Sequence, residues 1–505
     1  MTFFNRLGLA LFAALLLAVS AGATPARADW LKAETPNFII YSDGGERPLR
    51  EYAMKLEVFD RFLRMRFGVP LDRPVARKLP IYLVRRQGDL AKVAPAIGGS
   101  VAGFYHTGEE DIFAVATRGD GEVTLLHEYA HHFFYQHFST FYPGWLVEGL
   151  AEYVMTARIW PDRIQMGAHS EARASWLTNM QWLPLEVLLT NRYAQVERDI
   201  HRATYYPVAW LLTHWFMSSP ERVVKLEAYL GLIRQGVDPS TAMQQATGLT
   251  LDQLRNTLRD HLYGRIELNT YNIDMPDLEI EITRLPPSAN DLLLLGQRLK
   301  LPMSEEDREV ALAEARRLAG RYPDDPLALL VLGHAELHIG DRAAGEAAFT
   351  RLLEMDPDNV EALQFMAMAR FADADDNPEN RPELMNRARG YLATAFGADP
   401  GNYLTLLLIG RSRSGAPGYP NANDLAIWER AYIAAPQLSD IRLGAGHAFL
   451  AAGDRATALA LLEPLANAPH GGGAAEEAQK LIDRANGVVR EDGGEDEAEA
   501  GAATD

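Results

Sequence analysis

The sequence predicts an α+β domain followed by an all-α array of helical hairpins, and three observations point that way. Residues 30–120 mix short β-rich runs with an amphipathic helix, residues 121–270 read as mostly helical, and from about residue 289 the chain repeats itself. At 505 residues the chain exceeds one ordinary core, and its length implies about two to four domains. A hydrophobic share of 48% is enough to fill them.

The chain opens with Arg6, an apolar run from Leu7 to Val19, and small residues ending in Ala26-Arg27-Ala28. A basic start, a hydrophobic centre and an A-x-A site make residues 1–28 a predicted signal peptide, cleaved before Asp29. The apolar run falls short of the about 20 residues a membrane span requires, although retention as an anchor stays open. There is no cysteine, which excludes disulfides and leaves histidine and carboxylates as the donors for any metal site. Export without disulfides points to a bacterial periplasm or to secretion.

Phe38 to Tyr41 is a β-rich run closed by the turn Ser42-Asp43-Gly44-Gly45. Tyr52, Leu56, Phe59, Leu63 and Phe67 recur at three- and four-residue steps, predicting a helix over 48–67 that Gly68 and Pro70 end. Leu79 to Val84 reads as a strand, and Phe104-Tyr105 with Ile112 to Ala116 as a hairpin around His106 to Asp111. Asp120 is the expected N-cap of a helix running to about Phe138. Further helices are expected at 145–157, 203–217, 221–235, 239–246 and 251–263, which closes a domain over 29–268. Three prolines and weak helix signals make 269–288 a predicted linker.

The repeat region spans 289–486. In residues 326–359, Leu329, Leu332, Gly333, Phe349 and Pro357 fall at the positions of a tetratricopeptide (TPR) repeat, which this unit resembles. Looser units follow at about 360–402, to Pro436 with Trp428 and Ala431, and at 437–470 with Leu443, Gly444, Gly453 and Ala456. A weaker first unit covers 289–325. Such hairpins stack into a solenoid, which implies a protein-binding surface. Residues 487–505 are acidic, rich in Gly and Ala and without aromatics, so they are predicted to be a disordered tail. The net charge of −19 argues against a nucleic-acid partner, because phosphate contacts need clustered Lys and Arg.

The chemistry lies in His127-Glu128-Tyr129-Ala130-His131. Residues four apart share a helix face, so both imidazoles can meet one ion with Glu128 beside them. The pentapeptide sits between Leu125-Leu126 and Phe133-Phe134, inside a strong amphipathic pattern. Sixteen residues separate His131 from Glu148, which lies in Trp145-Leu146-Val147-Glu148-Gly149-Leu150-Ala151-Glu152-Tyr153, enough chain to turn and bring a second helix back. Glu148 and Glu152 then stand one turn apart, one able to ligate and the other to accept the free N–H of a ligand histidine. His132, His137, His106 and His201 are read as lying on other faces or surfaces.

Together these segments resemble the gluzincin zinc metallopeptidases, most closely the bacterial peptidase MA-like group, over roughly residues 35–265. The resemblance implies a zincin-like α+β fold and one catalytic zinc held by His127, His131 and Glu148. It makes Glu128 the general base and Glu152 a residue supporting the ligands. Tyr205-Tyr206-Pro207-Val208-Ala209-Trp210 resembles the helix that carries a tyrosine in this group, and Tyr206, ahead of Tyr205, would steady the oxyanion. The Gly-x-Met-Glu-Asn signature of the zinc aminopeptidases is absent from residues 95–120, so aminopeptidase action is not implied. Ile112 to Ala116 is expected to be the edge strand along which an extended peptide pairs.

The expected function is therefore an exported zinc peptidase acting on peptides or proteins, with the array binding a partner or substrate. No membrane span is expected after signal cleavage. The competing expectation is an interaction scaffold that keeps a peptidase-like fold with little or no hydrolysis. These differ in chemistry, because Glu128 has no use in a metal site that is only structural.

Overall fold

The computed structural model describes residues 30–488 apart from 98–100, 139–141, 265, 267 and 469–471, so the predicted signal peptide and the acidic tail beyond Val488 lie outside the described residues. A mixed α/β region with a six-stranded sheet leads into a long all-helical, TPR-like region. The strands are β1 (Leu31–Glu34), β2 (Phe38–Ser42), β3 (Leu79–Val84), β4 (Gly103–Thr107), β5 (Ile112–Thr117) and β9 (Glu281–Arg284), in the order β4-β5-β3-β2-β1-β9. β2, β3 and β5 run parallel, while the outer pairings are antiparallel. A smaller sheet joins β6 (Arg158–Trp160), β7 (Arg163–Met166) and β8 (Asn269–Asn272).

The central strands are mostly apolar, with Ser42 and Thr117 at their ends, and helices pack on both faces of the sheet. Phe38, Ile40, Ile81, Leu83, Ala114 and Ala116 share a core with Leu56, Phe59 and Leu63 of helix Glu46–Phe67 and with Leu125, Leu126 and Phe133 of helix Glu122–His137. On the opposite face Tyr82, Val84, Phe113 and Val115 pack against Leu293 and Leu294, from the first helix of the array. The array is thus built onto the sheet.

Two expectations are corrected here. The stretch 269–288 is no free linker: it supplies β8 and β9, which pair with β7 and β1. The alternation Ile280-Glu281-Ile282 carried that signal, masked by the prolines around it. Ile112 to Ala116 is no edge either, since β5 lies between β4 and β3 and every residue of it is buried. The edge is β4. Smaller shifts concern helix starts. Gly121, not Asp120, caps helix Glu122–His137, and the helix expected at 145–157 spans Gly144–Val154 before β6 begins.

Among the described residues the array holds five helical hairpins and a last helix, Gly473–Ala485. Ala289–Leu299 pairs with Glu305–Ala319, Pro326–His338 with Arg342–Met355, Val360–Asp376 with Arg381–Ala398, Tyr403–Arg413 with Ala422–Ala434, and Ser439–Ala451 with Arg455–Ala466. Small residues admit large ones between helices. A Cβ on Gly333 would lie 2.7 Å from Phe349, and one on Gly444 only 2.2 Å from Trp428. Among the described residues no helix is long and apolar enough to cross a membrane.

Candidate metal centre

The helix Glu122–His137 is held in one rotational setting by a buried polar knot. Arg64 donates to Asp60 at 2.6 Å with both side chains under 5% exposed, and the Tyr129 hydroxyl donates to the other Asp60 oxygen at 2.6 Å. With Tyr129 committed to the core, residues two positions either side turn toward the opposite face, as helical geometry requires. Those residues are His127 and His131.

The helix Gly144–Val154 returns against them. Fully buried Trp145 anchors its start by donating to the Tyr229 hydroxyl at 3.2 Å. Gly149 lets it press onto helix Asp199–Met217, where an added Cβ would lie 2.1 Å from Thr213 Oγ1 and 2.6 Å from the Ala209 carbonyl oxygen. Gly149→Ala is therefore expected to cost about 3 kcal/mol, the upper end for overpacking. Urea unfolding would show this as a lowered midpoint, and any metal held through Glu148, the adjacent residue, should be lost with it.

His127 Nε2 and His131 Nε2 face each other at 3.1 Å, and both stand off Glu148 Oε2, at 3.6 and 3.5 Å. Four donors at about 2.0–2.1 Å around a tetrahedral zinc are separated from one another by roughly 3.3 Å. The three atoms thus form a triangle of the size a zinc ion needs, on a nearly fully buried carboxylate and two partly buried imidazoles. Two imidazoles and a carboxylate are also a zinc donor set. The residues fit the ion.

Glu152 lies behind His127, its Oε1 3.7 Å from Nδ1, on the ring edge away from the triangle. It is gripped in turn by Arg173, whose Nε and Nη2 donate to its two oxygens at 2.8 and 2.7 Å. Burial works against a charged His127 imidazole, but Glu148, Glu152 and Glu128 outweigh it and raise its pKa. Glu152→Gln keeps the size of the side chain and removes the charge behind the ring. If the triangle holds zinc, this change is expected to weaken its binding about 10- to 100-fold, read by competition with a chelating dye.

The two tyrosines separate clearly. Tyr205 is fully buried and donates to the Asn191 carbonyl oxygen at 3.2 Å, so its hydroxyl is already engaged. Tyr206 is half-buried, its ring 5.3 Å from the Arg173 guanidinium, and burial with the charges of Glu148 and Glu152 raises its pKa. Of the other histidines on the same helix, His132 is bonded through Nδ1 to the Tyr105 hydroxyl at 2.8 Å and His137 packs on Phe133. Neither joins the triangle.

Glu128 lines a cleft of about 380 Å³ together with His131, Glu148 and Tyr135, with Tyr105 and Thr107 of β4 alongside. The far wall comes from the array: Gln437, Ser439, Arg442, Pro464, Leu465 and Ala468. Arg442 is 2% exposed, its Nε and Nη1 donating to the carbonyl oxygens of Pro436 and Leu461 at 2.5 and 3.0 Å. Among the described residues it forms no ion pair. Sequence reasoning missed Arg173, Tyr105 and the whole array wall. Their distances along the chain from the motif, 21 residues from Glu152 to Arg173 and far more to Arg442, leave no periodicity to find.

The chain matches no protein-family description and no curated protein. Solved structures similar to it include a thermophilic TPR protein, TTC0263, of Thermus thermophilus, at 20% identity and TM-score 0.33 over 39% of this chain and 98% of the other. Two structures of MamA are similar at 16% and 14% identity, with TM-scores of 0.26 and 0.27, over 36% and 40% of this chain and 98% and 97% of theirs. Likeness this distant bears on neither function nor partner.

Proposed function

We propose that the chain is an exported, periplasmic or secreted zinc peptidase of the gluzincin type, with a zincin-like first domain and a TPR array that helps shape the substrate cleft. The observation that carries this reading is the triangle of His127, His131 and Glu148, with Glu128 lining the same cleft outside it. Zinc held there would polarise the scissile carbonyl and acidify a bound water. Glu128 would accept the proton that water loses and deliver it to the leaving amine. Tyr206, kept protonated at neutral pH by its surroundings, would donate a hydrogen bond to the oxyanion that develops on the substrate. Glu152 and Arg173 would hold the His127 ring in register. β4, the free edge beside the cleft, is the strand an extended peptide would join.

One observation favours the second reading, an interaction scaffold with little or no hydrolysis. The array closes the far side of the cleft and leaves it about 380 Å³, room for a few side chains, while its helical hairpins offer protein-binding surface in their own right. The test is zinc content and cleavage of unfolded casein by the purified chain. Zinc at His127 and His131 with chelator-sensitive cleavage supports the peptidase. Zinc there with no cleavage of any unfolded protein supports the scaffold. A chain that holds no metal at these residues defeats the site assignment itself.

A further inference from the structure

The tip of the β4–β5 hairpin carries three successive acids, and each meets a different part of the array. Glu109 pairs with Arg411, Glu110 bonds His334, and Asp111 pairs with Lys300. The middle contact differs from the others in its chemistry. His334 and His338 lie one turn apart on helix Pro326–His338, their rings 4.5 Å apart between centroids. Glu110 turns one carboxylate oxygen to each: Oε2 lies 2.8 Å from His334 Nε2, and Oε1 lies 3.5 Å from His338 Nε2. His338 Nε2 is shielded from solvent and makes no hydrogen bond. One ligand atom from each residue falls within 4.8 Å of the others.

We propose that Glu110, His334 and His338 form a second divalent-metal site, of the zinc class, which fastens the hairpin to the array. Two imidazoles at i and i+4 plus a carboxylate from a separate element repeat the donor set and the helical spacing of His127, His131 and Glu148. A hydrogen bond alone satisfies His334 and Glu110 but leaves the shielded His338 Nε2 without one, 3.5 Å from the second Glu110 oxygen. A metal ion uses all three donors, and it displaces the proton shared by His334 and Glu110 to solvent. Imidazole with carboxylate suits zinc and its first-row neighbours ahead of magnesium or calcium. With three protein ligands the remaining position falls to water, so this ion should exchange more readily than one in a four-ligand structural site. The consequence reaches the first site, because Tyr105 and Thr107 on the same hairpin wall the cleft against the array. Metal at the fastening would set how firmly that wall is held.

The experiment is zinc titration of the full chain by calorimetry, with cobalt absorption as the coordination readout. Four proteins are compared: wild type, His131→Gln, His338→Gln and the double variant. The expected stoichiometries are two, one, one and none. Zinc should also raise the thermal midpoint of His131→Gln, by roughly 3 °C at a hundredfold excess over Kd, and should leave the double variant unmoved. Glu110→Gln, on the hairpin, checks that any loss in His338→Gln is not a helix that failed to form. A wild type that binds one zinc, lost in His131→Gln and kept in both His338→Gln and Glu110→Gln, overturns the proposal and leaves the peptidase reading standing. A single zinc lost in His338→Gln and kept in His131→Gln supports the fastening and removes the catalytic metal.

Discussion

Glu128→Gln is expected to retain zinc at wild-type stoichiometry while peptide hydrolysis falls by about two to four orders of magnitude, the usual contribution of a general acid–base group. The expectation follows from where Glu128 stands. It lines the cleft with His131 and Glu148 yet lies outside the triangle of ligand atoms, so losing its charge takes nothing from the metal's coordination. Glutamine fills the same volume, and the helix around it is fixed by Tyr129 on Asp60, so the fold has no reason to change. On the peptidase proposal, what disappears is the acceptor for the proton of the attacking water. Metal analysis and casein cleavage, measured on the same preparation, check both halves of the claim. Loss of zinc in this variant would make Glu128 a ligand, and hydrolysis left at the wild-type rate would remove its role as base.

Some of this centre was legible from spacing alone. His127 and His131 face one way because four residues make about one helical turn, and the pattern Leu125-Leu126 to Phe133-Phe134 says that the helix is amphipathic. Glu148 and Glu152 obey the same rule on the second helix. The hairpins of the array were legible for a similar reason, since Gly333, Phe349, Trp428 and Gly444 mark close approaches that recur along the chain. What spacing cannot give is which distant elements share a wall. Arg173 reaches Glu152, and Arg442 reaches the cleft, through packing decided by whole helices. The short strands β6 to β9 were missed because three or four residues carry too little periodicity, and prolines at 276, 286 and 287 obscured what there was. β5 was mistaken for an edge because a run buried on both faces reads the same whether one neighbour or two lie beside it.

Asp111→Asn should lower stability by about 3 kcal/mol at neutral pH, the low end for breaking a buried ion pair from one side. Asp111 accepts from Arg77 at 2.6 Å and from Lys300 at 3.1 Å, with 9% of its side chain exposed. Asparagine preserves the shape and leaves two cations facing a neutral group. Lys300 keeps Glu361 at 2.8 Å, and Arg77 keeps the Ile112 carbonyl and the face of Tyr403, which is why the cost stays at the low end. The pH dependence gives the sharper test. Burial alone would raise the Asp111 pKa, but Lys300 and Arg77 overcome it and hold the carboxyl at about 2, below the roughly 3.9 of an unfolded aspartate. A depressed folded pKa means the stabilisation is present in full above pH ~4 and disappears as pH falls through ~2. The wild type and the variant should therefore differ most at pH 7 in urea unfolding and converge between about pH 4 and 2. A gap that stays constant down to pH 2 would mean that the charge of Asp111 is not what stabilises the fold. Because its hairpin also carries Tyr105 and Thr107 into the cleft wall, a variant whose gap does close with acid should show casein cleavage that is already weaker at pH 7, with zinc at His127 and His131 unchanged.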